Sequence, residues 1–173
     1  NPIEEIKELK IIRSYNSQSN SVDGPFGFGW THNYNVFLEE HTSGDVTLYD
    51  GTGVKHIFIK SGGELIAPSG THYRLKKLND NSFELRKKDG TKWDFDSNGK
   101  LITITDKNNN ELNLIYTSGK LTQVNSFHGL VLNFEYTNNR ISKISYALGR
   151  EINYLYDGQG NLAEVIDATS NSN

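Results

Sequence analysis

Between Asn109 and Val165, apolar and polar positions return in the same order every twenty residues. Leu112, Leu132 and Ile152 open the series, then Leu114, Phe134 and Tyr154, then Tyr116, Tyr136 and Tyr156. Within each run the apolar residues stand two apart, the period of a β-strand with one buried face, and this puts Asn113, Asn133 and Asn153 on the opposite face. A second strand follows in each unit, from Leu121 to Val124, Ile141 to Ile144 and Leu162 to Val165, with Leu101 to Ile104 as an earlier copy. Its two apolar anchors are three apart, which breaks strict alternation and predicts a β-bulge or a packed turn exit at the first of them. Asn109, Gly129 and Gly149 precede the units, and Gly119, Asn139 and Gly160 separate their strands; all are residues that accept the positive φ of tight turns. Trp93-Asp94-Phe95 reads as a worn first copy, with Phe95 in the tyrosine position.

Upstream the pattern is less regular but of the same kind. From Thr31 to Lys92, strand-like runs alternate with turn signals at Ser43-Gly44, Asp50-Gly51, Ser61-Gly62-Gly63, Ser69-Gly70, Asn79-Asp80-Asn81 and Asp89-Gly90. A strand is expected from Leu9 through Tyr15, a loop from Asn16 to Gly29, and either a short helix or a strand lead-in from Pro2 to Leu9. The fold expected is all-β: antiparallel β-hairpin repeats forming a curved, extended sheet, with an irregular antiparallel module over 1–92 and repeats over 93–173. Such a sheet has one apolar face and two open edges. Either the first half folds over that face, or the sheet continues into neighbouring structure.

Composition narrows the function. Aromatics make up 11% of the 173 residues, with nine Tyr, which favours strands; cysteine is absent, so neither disulfides nor thiolate metal sites hold the fold. The net charge of -3, with no basic stripe, argues against nucleic acid as a partner. No apolar run approaches the roughly 20 residues of a membrane-spanning helix. A chain opening on Asn1 in place of Met reads as an excised or processed piece.

Catalytic chemistry finds little support. His32, His41, His56, His72 and His128 show no metal-binding spacing, and the calcium-loop-like run from Asp106 to Asn110 lacks the required Gly and the acidic twelfth residue. Gly27-Phe28-Gly29 lacks the strand, helix and third glycine of a dinucleotide site. No serine sits in a nucleophile elbow, and no carboxylate pair is marked as acid and base. The expectation is a non-enzyme without metal or cofactor. Periodic aromatic residues are first of all core, and the structural positions of the repeat are Phe95, Tyr116, Tyr136, Tyr156, Gly119, Gly160, Leu121, Ile141 and Leu162. Trp30 and Trp93 are the candidates for ligand contact if aromatic faces stack on sugars. The asparagine series reads as a solvent-facing ladder or as a polar lining of an interior.

Two segments resemble a known family. The runs from Tyr116 to Val124 and from Tyr156 to Val165 resemble the YD repeat of RHS proteins. Arg13-Ser14-Tyr15-Asn16-Ser17, followed by Gly24-Pro25-Phe26-Gly27-Phe28-Gly29-Trp30-Thr31-His32-Asn33-Tyr34, resembles the module that precedes those repeats. The resemblance implies the N-terminal part of a β-shell that encloses a C-terminal toxin or effector polypeptide for secretion or delivery. Its partners would be further repeats and cargo of the same polypeptide, and its location secreted or on the bacterial surface. The segment where some members cleave themselves has no counterpart here. The alternative reading is a cell-surface adhesion or carbohydrate-binding module, with surface glycans as partners.

Overall fold

The structure, a computed structural model, describes residues 9–146 and 149–168. It is all-β. Four short strands come first: β1 (Arg13–Tyr15), β2 (Asp23–Gly24), β3 (Gly27–Phe28) and β4 (Trp30–His32). They pair as two small ribbons, β1 with β4 and β2 with β3, around one 3-10 turn at Ser17–Ser19. The fourteen strands that follow make one antiparallel sheet in strict chain order. They are β5 (Val36–Glu40), β6 (Val46–Asp50), β7 (Lys55–Ser61), β8 (Glu64–Ile66), β9 (Arg74–Lys77), β10 (Phe83–Arg86), β11 (Lys92–Phe95), β12 (Leu101–Thr105), β13 (Glu111–Thr117), β14 (Lys120–Ser126), β15 (Val131–Thr137), β16 (Arg140–Tyr146), β17 (Glu151–Tyr156) and β18 (Leu162–Ala168). The sheet runs without a break through residues 92 and 93.

The expected strand from Leu9 shortens to Arg13–Tyr15. The Asn33 side chain takes the place of a strand partner there: its Nδ2 donates to the Lys10 carbonyl and its Oδ1 accepts from the Ile12 amide. The expected loop from Asn16 to Gly29 contains the β2–β3 ribbon. The alternatives for Pro2 to Leu9 fall, but for Leu9 itself, outside the described residues.

Local chemistry explains the chain-order topology. The loops at Asp96, Asp106, Ser126, Tyr146 and Asp157 share one three-residue geometry, in which the first residue's amide bonds to the carbonyl four on and a positive-φ residue bonds back. Gly99, Asn109, Gly129, Gly149 and Gly160 fill that position, as three-residue hairpins with a left-handed third residue require. Asp106 stiffens its turn: Oδ1 accepts from the Asn108 and Asn110 amides, and these bonds together with that from the Asn110 side chain hold its pKa below the usual carboxylate value against the opposing effect of burial. The other loops of the repeat, Ser118-Gly119 and Asn138-Asn139, are two-residue turns with both φ values positive, the type I′ form that matches strand twist. Such short loops permit only hairpins.

Of the two alternatives that the anchor spacing left, a bulge or a packed turn exit, the bulge occurs in every unit. Pairing slips by one residue between Ile115 and Tyr116, between Glu135 and Tyr136, and between Leu155 and Tyr156, with an earlier instance at Asp94 and Phe95. The extra residue lies on the second strand, so Leu121 and Val124 both reach the apolar side although three apart, and both are buried. The sheet is curved and open. Phe37 of β5 meets Lys100 through a single isolated bridge, and the Leu38 amide bonds to the Gly99 carbonyl, yet β5 does not join β12 as a neighbour.

The apolar side does not face water alone. Leu9, Phe26 and Tyr34 of the segment before β5 lie in one core with Leu101, Leu121, Phe134, Ile141 and Tyr154 of the repeats. The chain before β5 therefore packs across the apolar side of the sheet. At about 1.5–3 kcal/mol for each large side chain fully buried, this shared core is the main term holding the segment in place.

Candidate functional site

The feature the repeats build is a wall pinned by tyrosines. Within a hairpin the strands pair over six positions, but neighbouring hairpins pair over three: Gln123, Val124 and Asn125 face Asn133, Leu132 and Val131, and the ladder ends there. Toward the type I′ turns the hairpins diverge. Across each opening a tyrosine hydroxyl does what the main chain does not: Tyr116 donates to the Leu101 carbonyl at 2.9 Å, Tyr136 to Leu121 at 2.9 Å, and Tyr156 to Ile141 at 2.6 Å. Every acceptor is the first anchor beside the bulge. An unpaired buried carbonyl costs about 1–3 kcal/mol, so the hydroxyl supplies a partner where the ladder between hairpins has ended.

Each pinning ring also lies under a cation of the preceding hairpin. Lys100 is 5.3 Å from the Tyr116 ring centre, Lys120 is 5.2 Å from Tyr136, and Arg140 is 5.9 Å from Tyr156. These cations recur every twenty residues, a signal present in the chain and missed in reading it. Burial pushes the Tyr136 phenol up to about 12 and raises those of Tyr116 and Tyr156 as well, so all three stay neutral donors at ordinary pH.

The structural positions named from sequence come together in this wall. Leu121 and Ile141 are buried anchors, Leu162 is the half-buried fourth, and Phe95 is fully buried without a hydroxyl to donate. Gly119 sits in a type I′ turn, and an added Cβ at Gly160 would meet the Arg140 guanidinium at 2.5 Å. The asparagines lie on the opposite face. There Asn113 and Asn133 accept hydrogen bonds from Thr103 and Gln123, the residues directly across the inter-hairpin seam.

The two tryptophans differ. Trp93 is 8% exposed, with the Lys87 ammonium 3.4 Å from its ring centre. Trp30 is half-buried and packs at 5.2 Å against Tyr15, which is exposed.

His32 is buried in the core at 2% exposure. Its ring lies edge-on to Phe26 at 5.5 Å and stacked on Phe134 at 5.8 Å, and its Nδ1 accepts from the Tyr34 amide at 3.2 Å. Burial pushes its pKa down to about 3, so it is a neutral core residue joining the N-terminal segment to the hairpin of β15 and β16, the third when β11 and β12 are counted as the first.

The same segment makes directed contacts with that hairpin. The Ile141 amide donates to the Pro25 carbonyl at 2.8 Å, and Arg140 Nη2 lies 2.8 Å from both carboxylate oxygens of Asp23. Phe26 packs on Tyr154 at 4.6 Å. Nothing in the local sequence pattern marks Asp23 or Pro25 as partners of residues so far along the chain.

Among the described residues no group of three or more His, Asp or Glu side chains is placed to hold a metal ion, and no helix is long and apolar enough to cross a membrane. A family model described as a domain of unknown function, DUF6531, matches residues 2–58. No curated protein matches the chain. The matched stretch ends in β7, so it takes in the segment that crosses the sheet and the first strands of the sheet, but none of the tyrosine-pinned hairpins.

Proposed function

We propose that this chain is a non-enzymatic wall: the N-terminal part of an RHS-type β-shell that encloses a C-terminal toxin or effector polypeptide and is secreted or displayed at a bacterial surface. The observation that carries this reading is the recurrence of one hairpin design with the same bulge, tyrosine pin and cation in successive units. Repetition of that kind produces area, whereas catalysis needs unlike groups converging on a point. The open edge at β18 fits the same reading. Its bulge repeats the earlier ones, so β18 has the form of a strand ready to receive a further hairpin. The resemblance of the repeat runs to YD repeats supplies the enclosed cargo, and the match to an uncharacterised domain over 2–58 is compatible with it.

Limited proteolysis of the whole polypeptide that carries this segment tests the proposal. A C-terminal region shielded from protease while the sheet is folded, and cut once urea opens the sheet, is the expected result. A C-terminal region cut equally fast in both conditions, or a polypeptide with nothing beyond the repeats, refutes it.

A further inference from the structure

The N-terminal segment lands on one particular repeat, although the repeats offer nearly equivalent places. From Pro25 to Leu38 the chain could extend about 45 Å, while successive hairpins are spaced by about 9.5 Å. Length alone therefore does not choose the third hairpin over the second. The residues at the two openings differ instead. At the second, Lys120 Nζ donates to Asn139 Oδ1 at 2.8 Å, and this pair bridges the opening between the two turns. At the third, Gly160 stands where Asn139 stands one unit earlier, and the cation is Arg140.

Gly160 leaves Arg140 without a neighbouring amide side chain to bind. The arginine, 17% exposed in its side chain, turns to Asp23 and also lies 5.6 Å from the Phe28 ring centre. Gly27 enters the same opening so closely that an added Cβ would sit 2.6 Å from the Gly160 carbonyl oxygen. The opening accepts a backbone that lacks a Cβ, flanked by a carboxylate and an aromatic ring.

We propose that Gly160 and Arg140 form a register key that selects the third hairpin as the docking place of the Asp23–Phe28 ribbon, and that Asn139 with Lys120 closes the second hairpin to it. The key sets how much of the wall the N-terminal segment covers, independently of what the wall encloses.

The test is the double variant Gly160→Asn/Arg140→Lys, which gives the third opening the chemistry of the second. Asn109 holds the same third position of a three-residue loop with a φ of 62°, against the 84° of Gly160, so the substituted turn has a working precedent in the same chain. Amide hydrogen exchange is the readout. The expected result is exchange at least tenfold faster at Ile141, with Leu38 and the amides of β13 and β14 unchanged. Ile141 protection within twofold of the parent overturns the proposal. Should the double variant lose its fold, Asp23→Ala decides: faster exchange confined to Ile141 and its surroundings supports the key, and unchanged exchange overturns it.

Discussion

His32 ties the acid stability of the fold to one buried ring. Its folded pKa of about 3 lies below the ordinary value of 6.5, so between these values the unfolded chain binds a proton that the folded chain refuses. The sign follows: the stability is fully present above pH 6.5 and is lost as pH falls toward 3. The slope is about 1.4 kcal/mol per pH unit, which makes about 2 kcal/mol between pH 6.5 and 5. Carboxylates held below their usual pKa, such as Asp50 and Asp157, also withdraw stability as pH falls, but chiefly below pH 5.

His32→Asn isolates the effect. Asn Oδ1 sits at the same branch position as His Nδ1 and can accept from the Tyr34 amide, while the titrating ring is gone. The variant leaves a void between Phe26 and Phe134 and is less stable at pH 7; the quantity to read is the slope. Urea unfolding followed by tryptophan fluorescence at a series of pH values should show the parent losing about 2 kcal/mol more than the variant between pH 6.5 and 5. Parallel pH profiles would refute the burial argument, whatever the absolute stabilities.

Other consequences can be checked on the same material. Tyr136→Phe removes the hydroxyl that closes the Leu121 carbonyl and should cost about 1–3 kcal/mol in urea unfolding; a neutral result means the tyrosines serve only as apolar wall. Gly119→Ala places a Cβ at a φ of 81° and should destabilise by about 1–2 kcal/mol, whereas the same change at Gly158, which has open space around it and no positive φ, should be near neutral. Spectrophotometric titration should find Tyr136 ionising near pH 12, with stability unaffected by this phenol below pH 10 and falling above it. A glycan array probed with the chain and with Trp30→Ala tests the adhesion reading; binding abolished by that change would favour it over the wall.

Much of the wall was legible because its determinants are local and repeated. The three-residue spacing of Leu121 and Val124 is enough to imply a bulge or a packed turn exit, since a regular strand puts residues three apart on opposite faces. Gly119, Asn139 and Gly160 announce positive φ for reasons of sterics alone. The recurring cations at Lys100, Lys120 and Arg140 were equally visible, and only their meeting with the next tyrosine ring was not. That contact depends on how far neighbouring hairpins splay.

From residue types and their period alone came the all-β class, the hairpin order, the turns, the break in alternation and the face each strand buries, because these follow from chain geometry over a few residues. Which surface covers the apolar face was decided only in three dimensions. Asp23 and Arg140 lie 117 residues apart, and no periodicity relates them. Their pairing, the neutral His32 beside Phe26 and the entry of Gly27 beside Gly160 exist because the sheet must bury its apolar side, and the N-terminal segment packs against it.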